Sequence, residues 1–121
     1  MSDVERFGVF LPSYIWAGDG AERARGIKAF AREVEDLGFD SLFITDHLLA
    51  AKRFYSVSFL EPLSALAVAA GATERVRLGT LVTAVSFRPA SLVIKAVTTL
   101  DVLSRGRAWF GVGAGYQAEE A

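Results

Sequence analysis

The chain has 121 residues, of which 52% are hydrophobic and 22% are charged, and its formal net charge is −1. The near-neutral charge, without a basic run, argues against a nucleic-acid partner, and no apolar run approaches the roughly 20 residues that a transmembrane helix needs. The absence of cysteine excludes disulfides and thiolate metal sites, and we predict no metal site.

The composition predicts one compact domain over residues 1–121, because a chain of this length buries roughly two-thirds of its unfolded surface. The amino-terminal segment MSDVERFGVF has early acidic residues and no apolar signal core, so we expect a cytoplasmic location. We expect the partners to be small molecules, with neither nucleic acid nor membrane among them.

Strand and helix patterns alternate along the chain without a linker. A first strand is stopped by Pro12, and a helix with apolar residues at three-four spacing follows it and ends at Gly38. An Ala-rich second helix tolerates Pro62 in its first turn, and a third helix ends at Gly106. The predicted elements are strands over residues 7–11, 41–45, 76–82 and 107–112, and helices over residues 21–37, 60–72 and 89–104.

Apolar spacing also predicts which side of two helices faces the core. In the first helix, the inward positions are Ile27, Phe30, Ala31, Val34 and Leu37. In the third helix, they are Leu92, Ala96, Val97, Leu100 and Leu103.

Three strand–helix units followed by a strand predict an α/β fold with a parallel sheet and right-handed crossovers. The predicted strands begin about 31 to 36 residues apart, close to the roughly 31 residues per unit of a TIM-type (β/α)₈ barrel. The chain therefore has the rhythm of the first four strands of such a barrel, a half-barrel. A doubly wound sheet of flavodoxin type also fits the length, but it needs a fifth strand.

A charged pair, Asp46 and His47, follows the second predicted strand, and His47 is the only histidine in the sequence. Parallel α/β sheets bind ligands at the carboxyl ends of their strands, which favours a functional interpretation. An imidazole suits proton exchange near neutral pH. The alternative is that Asp46 caps the following segment and His47 is a loop residue with its hydrogen bonds satisfied.

The first, second and fourth predicted strands end in the motifs PSYIW at residues 12–16, TDHL at 45–48 and GVGAGY at 111–116. Between them lies LGTLVT at residues 78–83, in the third predicted strand, followed by FRPA at 87–90. Their order and spacing resemble the bacterial luciferase-like flavin-dependent oxidoreductases, which include luciferase-like monooxygenases and deazaflavin (F420)-dependent enzymes. The resemblance covers essentially the whole chain and the amino-terminal half of the family's barrel.

The resemblance implies an oxidoreductase that uses reduced F420 for hydride transfer or a flavin for monooxygenation of a small organic substrate. The Thr-Asp-His-Leu sequence favours F420 as the cofactor, with FMN as the alternative. His47 would act near the hydride-transferring carbon, and Asp46 would orient it or contact the cofactor. Family members also have a non-prolyl cis peptide and a bulge behind the ring, which match Leu81–Val82; the alternative is an ordinary trans strand.

The resemblance further implies that Gly113, Ala114, Gly115 and Ser13 contact the cofactor. Glycine permits close approach of the backbone to a ligand. Some deazaflavin dehydrogenases have a catalytic glutamate directly after these glycines, where this chain has Tyr116. This difference argues against a sugar-phosphate dehydrogenase that depends on that acid.

The loop over residues 49–59 is long for a connection from a strand to a helix, and such loops commonly shape substrate pockets. Phe54 and Tyr55 in this loop, with Trp16 and Tyr116, are therefore candidate substrate contacts. The alternative is that the loop aromatics only hold the loop against the protein.

A half-barrel raises a second interpretation, which is a non-catalytic flavin-binding module, a partner subunit or a fragment. Four strands cannot close a barrel, and Phe10, Phe43 and Leu81 on the inner face would lose the packing that the opposite half provides. We therefore expect a homo-oligomer or association with a carboxyl-terminal half.

Overall fold

The computed structural model describes residues 4–12, 18–48, 59–116 and 118–120. Strands and α-helices alternate in these residues. The elements are β1 (Gly8–Phe10), α1 (Gly20–Asp36), β2 (Ser41–Ile44), α2 (Pro62–Ala72), β3 (Arg77–Ala84), α3 (Ala90–Leu103), β4 (Ala108–Gly113) and a 3₁₀ helix, η1 (Ala118–Glu120). Within the described part of the chain, no helix is long and apolar enough to cross a bilayer.

The four strands form one parallel sheet in the order β1–β2–β3–β4. This sequential order is that of consecutive units of a (β/α)₈ barrel, whereas a flavodoxin-type sheet has its first strand between the second and the third. The prediction of a half-barrel is therefore confirmed, and the strand order decides against the flavodoxin alternative.

Local side chains set where the first two helices begin. At the start of α1, Asp19 accepts a hydrogen bond from the backbone N–H of Glu22, whose carboxylate accepts one from the N–H of Asp19. Gly38, with φ of +86°, follows the end of this helix. Before α2, the Glu61 carboxylate accepts two backbone N–H groups of the first turn, and Pro62 has no N–H to satisfy.

The helices cover one face of the sheet, and the core lies between the two layers. Apolar side chains of β2 and β3 pack there against α1, α2 and α3. The core includes Leu11, Ile27, Ala31, Val34, Leu42, Ile44, Leu63, Ala65, Leu66, Ala69, Val76, Leu78 and Leu100.

Three leucines that the sequence placed in the core are exposed: Leu37, Leu92 and Leu103, at 69%, 59% and 72%. Leu37 caps the carboxyl end of α1 and lies outside the helix. Leu92 precedes the buried Val93, and one residue rotates the side chain by about 100° around a helix. Leu103 is the last residue of α3, whereas the core cluster includes this helix only as far as Leu100.

At the amino ends of the strands, Arg107 uses all five of its N–H groups to join the end of α2 to the end of α3 and to the start of β3. Its guanidinium donates to the carbonyl oxygens of Ser104, Thr73, Val76 and Ala70 at 2.8 to 3.1 Å, and to Thr73 Oγ1 at 2.9 Å. Burial lowers the pKa of Arg107 from its usual value. These bonds satisfy carbonyl groups at the carboxyl end of α2, which the helix itself leaves unpaired.

Glu35 on α1 binds the backbone at the same end of the sheet. Its carboxylate accepts the backbone N–H groups of Glu74, Arg75 and Val76 at 2.6 to 3.1 Å. Burial acts to raise the pKa of Glu35, but these hydrogen bonds and the charge of Arg75 outweigh it and hold the pKa below its usual value of 4.5. The carboxylate therefore fixes the chain just before β3.

The face of the sheet that the helices leave uncovered carries aromatic side chains. The ring of Phe43 on β2 lies 6.5 Å from the ring of Phe10 and 6.0 Å from that of Trp109. Glycines on the neighbouring strands lie beside the Phe43 ring. A Cβ atom at Gly8 or Gly79 would lie 2.8 or 2.9 Å from that ring. One large side chain on the central strand thus takes space that β1 and β3 leave empty.

Candidate functional site

The carboxyl ends of β2, β3 and β4 border a cleft of about 270 Å³. The sequence-predicted site residues that line it are Asp46, His47, Leu81, Val82, Gly115 and Tyr116. The other residues that line it are Thr45, Ala84, Phe87 and Glu120. Parallel sheets bind ligands at this edge, so the geometry brings the predicted charged pair and the predicted strand irregularity to one place.

Strand β3 is irregular where it borders the cleft. The peptide bond between Leu81 and Val82 is cis. The register with β4 shifts between Thr80 and Thr83, which is a bulge. Leu81 and Val82 are 45% and 37% exposed, so the bulge presents apolar surface. The cis bond and the bulge expected from the family resemblance are confirmed.

His47 follows β2, and its side chain is 15% exposed. Its Nδ1 atom lies 3.3 Å from Oε2 of Glu120, whose side chain is 2% exposed. The ring of Phe59 lies 5.0 Å away, and the ring of Tyr116 meets the imidazole edge-on at 6.0 Å. The imidazole is therefore held by two aromatic rings and a buried carboxylate while still lining the cleft.

Asp46 is bound by a different set of groups. Nη1 and Nη2 of Arg88 donate to its two carboxylate oxygens at 2.6 and 2.9 Å, and the N–H of Ala84 donates at 3.0 Å. Nη2 of Arg88 also donates to Glu61 at 3.1 Å. The hydrogen bond with Asp46 raises the pKa of Arg88 above its usual value, against burial, and the charges of Asp46 and Glu61 add to the effect.

The Asp46 contacts join three elements. In the part of the chain that the structure describes, the carboxylate bonds to the end of β3 and to Arg88 rather than to His47. Through Glu61, the same network reaches the start of α2. Asp46 thus fixes the backbone that carries His47, while Glu120 contacts the imidazole itself.

The glycine segment after β4 packs against the bulge of β3. A Cβ atom at Gly113 would lie 2.5 Å from Cγ2 of Val82, so the lack of a side chain leaves room for that residue. Gly115 has φ of +81°, in the left-handed region that favours glycine. Ser86 Oγ donates to the carbonyl oxygen of Ala114 at 3.4 Å. Packing and backbone conformation within the protein therefore favour glycine at both positions, in addition to the predicted approach of a ligand.

Comparison of the sequence with models of protein families gives a match over almost the whole chain. Residues 5–121 match the family model described as luciferase-like monooxygenase. The chain belongs to the luciferase-like monooxygenase family. Its half-barrel, cis bulge and histidine at the end of β2 are thus elements of a luciferase-like protein.

Individual relatives of this luciferase-like chain include deazaflavin-dependent enzymes. The F420-dependent glucose-6-phosphate dehydrogenase of Beutenbergia cavernae is 39% identical over 98 residues, which are 80% of this chain and 29% of the relative. The coenzyme F420-dependent tetrahydromethanopterin reductase of Methanopyrus kandleri superimposes with a TM-score of 0.73 at 28% identity, over 93% of this chain and 28% of that chain.

A third match is similar in fold alone. The oxygenating constituent of 3,6-diketocamphane monooxygenase from Pseudomonas putida, in complex with FMN, has a TM-score of 0.79 at 18% identity. The match covers 96% of this chain and 31% of that chain. The luciferase-like chain thus spans less than a third of the length of these three proteins.

The residues of the cleft fit the planar cofactors that the resemblance to luciferase-like proteins implies. A flavin or deazaflavin has a flat ring with polar edges, and it needs apolar surface beside hydrogen-bonding groups. The cleft offers the exposed side chains of Leu81 and Val82, and the imidazole of His47 borders them. These residues would therefore hold the ring.

Some predicted residues lie outside the described ones, and some functional candidates were missed. Ser13, Trp16, Phe54 and Tyr55 lie outside the residues that the structure describes. Sequence reasoning missed Glu120, and it included Arg88 in the motif FRPA without assigning it a role in the site. For Glu120 the available signal was position alone, because it follows β4, whose carboxyl end borders the cleft.

Proposed function

We propose that this protein is an oxidoreductase that binds the deazaflavin F420 in the cleft and uses it on a small organic substrate. The observation that carries the proposal is that His47 borders a cleft whose wall includes the exposed apolar side chains of the bulge, Leu81 and Val82. The 39% identity to an F420-dependent dehydrogenase supports the choice of cofactor, as does the Thr-Asp-His-Leu sequence.

Each residue has a distinct part in this proposal. When bound, F420 supplies hydride transfer. His47 holds or exchanges a proton beside the ring, as a positioned imidazole does near neutral pH. Asp46 keeps the backbone of His47 in place through its bonds to β3. Leu81 and Val82 exclude water from one side of the ring.

The glycine segment and the neighbouring aromatics complete the site. Gly113, Ala114 and Gly115 line the ring through their backbone, and Tyr116, which is 81% exposed, contacts the substrate. A tyrosine stands where some sugar-phosphate dehydrogenases have a glutamate, so the proposed substrate is not a sugar phosphate that requires that acid. Residues 1–121 act as one domain, the amino-terminal half of the barrel.

Binding of the two cofactors tests the proposal directly. Purified protein is titrated with F420 and, separately, with FMN, and the change in cofactor fluorescence is followed. Tighter binding of F420 supports the proposal, and tighter binding of FMN replaces it with flavin-dependent monooxygenation. Saturable binding without turnover of either reduced cofactor would support a non-catalytic module, and absence of binding would reject the site.

A matched pair of variants locates the cofactor. Val82→Asp places a charge on the exposed bulge and should abolish binding, because a planar apolar ring would then meet a carboxylate. Val102→Asp places the same charge on α3, where Val102 is 71% exposed, and should leave binding unchanged. Equal binding by both variants would remove the bulge from the site.

A further inference from the structure

The second carboxylate of the site, Glu120, contacts the imidazole across a long sequence distance. Glu120 is the last residue of η1, after β4, and its Oε2 atom lies 3.3 Å from Nδ1 of His47. The two residues are 73 positions apart, and both side chains are largely removed from solvent. η1 therefore brings an acid to the histidine at the end of β2.

The chemistry of the two atoms decides which one carries the proton. An ionised carboxylate only accepts hydrogen bonds, whereas a neutral imidazole donates from one nitrogen and accepts at the other. If Nδ1 lacked a hydrogen, its lone pair would face the Glu120 oxygen at 3.3 Å in a buried setting. That arrangement is repulsive, and its cost is larger where water is excluded.

We infer that Glu120 is a positioning residue that fixes the Nδ1–H tautomer of His47. Nε2 then carries the lone pair, so the imidazole is an acceptor at that atom. A second group that orients the ring is a general feature of working histidines. The tautomer follows from this contact where the imidazole is neutral and the carboxylate is ionised, and its use beside a cofactor rests on the proposed function.

The arrangement separates the parts of the two carboxylates. Asp46, next to His47 in sequence, is held by Arg88 and Ala84 and fixes the backbone. Glu120, distant in sequence, fixes the orientation and the tautomer of the ring. Loss of either should disturb the site in a different way, since one acts on the main chain and the other on the imidazole.

Nitrogen NMR tests the tautomer without any cofactor. Because the chain has one histidine, ¹⁵N-histidine labelling and a histidine-free purification tag give signals from His47 alone. Magic-angle spinning of sedimented protein at alkaline pH, where imidazole is neutral, makes the measurement independent of assembly size. We expect Nδ1 to resonate as the protonated nitrogen and Nε2 as the unprotonated one.

Variants show whether Glu120 is the cause. Glu120→Ala should shift the population toward Nε2–H, Glu120→Asp should restore part of the Nδ1–H form, and Glu33→Ala on the exposed side of α1 should change nothing. An Nε2–H tautomer in the wild type overturns the inference even if no variant folds, as does an unchanged tautomer in folded Glu120→Ala. Failure of cofactor binding with the Nδ1–H form present would count against the proposed function alone.

Discussion

Arg88 donates two hydrogen bonds to the Asp46 carboxylate, from Nη1 to Oδ2 at 2.6 Å and from Nη2 to Oδ1 at 2.9 Å. The Asp46 side chain is fully buried, and that of Arg88 is 15% exposed. Paired arginine–carboxylate bonds of this geometry are short and directional. Because Asp46 directly precedes His47, this ion pair sets where the candidate catalytic residue stands relative to β3.

Removing the guanidinium of Arg88 should lower the free energy of unfolding. Arg88→Gln leaves the buried carboxylate of Asp46 without its charged partner, and the loss of one member of a buried pair costs about 3 kcal/mol or more. Urea unfolding followed by circular dichroism measures the change in the free energy of unfolding.

Two comparisons make this prediction specific. Arg25→Gln removes the same charge from the exposed side of α1 and should change stability by less than about 0.5 kcal/mol. Arg88→Gln combined with Asp46→Asn should recover part of the loss, because no buried charge is then left unpaired. An Arg88→Gln protein as stable as the Arg25→Gln protein would contradict the prediction.

Glu35 should make stability depend on pH in the acid range. Its folded-state pKa is lowered, so its contribution to stability is fully present above the usual value of 4.5 and is lost as pH falls through the lowered folded-state pKa. Glu35→Gln should cost about 1–2 kcal/mol at neutral pH, since hydrogen bonds to a charged acceptor are worth that much or more.

The unfolding free energy of the two proteins, measured by urea titration from neutral to acid pH, should converge below the ordinary glutamate pKa. Glu33→Gln, on the same helix but exposed, provides the matched control and should leave the pH profile unchanged. A constant difference between the wild type and Glu35→Gln at every pH would show that the charge of Glu35 does not stabilise the fold.

Replacement of Gly113 should weaken cofactor binding through Val82. Gly113→Ala places a methyl group 2.5 Å from Cγ2 of Val82, and a valine has little freedom to rotate away. We expect about a tenfold loss of affinity, which corresponds to about 1.4 kcal/mol. Gly113→Ala with Val82→Ala should regain part of the affinity, because the close contact is removed. Gly71→Ala, with no atom within 4 Å of the added methyl group, should leave the affinity in the fluorescence titration unchanged.

Loss of His47 should affect turnover more than cofactor binding. His47→Ala should reduce turnover by about 10²- to 10⁴-fold, the usual contribution of a positioned proton-transfer group. His47→Gln retains a donor for Glu120 but cannot exchange a proton, so it should be equally slow. Steady-state rates with reduced cofactor provide the measurement, and full activity of His47→Gln would exclude a proton-transfer part for this residue.

The uncovered face of the sheet should cause association. Phe10 and Trp109 on this face are 50% and 39% exposed, and Leu81 adjoins the cleft. Apolar patches of this kind mark interfaces, and in the part of the chain that the structure describes β1 and β4 are the outer strands of the sheet. We expect sedimentation velocity to show a self-associating species when this chain is expressed alone.

A charged substitution tests whether that face is responsible. Phe10→Lys should shift the distribution toward monomer, whereas Leu37→Lys, at an exposed helix end, should not. A wild-type chain that sediments as a monomer and unfolds cooperatively would contradict both the association and the packing role of this face.

The sequence predicted the elements well because local patterns set them. The alternation of strands and helices, the stop at Gly38 and the position of His47 after β2 all depend on neighbouring residues. The prediction of which α3 residues face the core was less accurate. Apolar residues occur around much of that helix, and only packing against the sheet selects among them. Strand spacing suggested the half-barrel, but only the spatial order of the strands excluded the alternative.

The partners of the charged residues could not be predicted. Arg88 lies 42 positions from Asp46, and Glu120 lies 73 positions from His47, so no local pattern relates them. The family resemblance implied that Asp46 orients His47 or contacts the cofactor, and the structure adds that its carboxylate bonds to Ala84 and Arg88. Long-range pairing of this kind depends on the fold being formed first.

The glycine opposite Phe43 also selects how the strands align. Gly79 pairs directly with Phe43, and a slip of β3 by two residues would oppose Arg77 or Leu81 to that ring instead. A Cβ atom opposite Phe43 would lie 2.9 Å from its ring, so the observed alignment places a glycine where a side chain would be crowded. The place of the bulge at Leu81 and Val82 relative to His47 therefore depends on an earlier position of the same strand that carries no side chain.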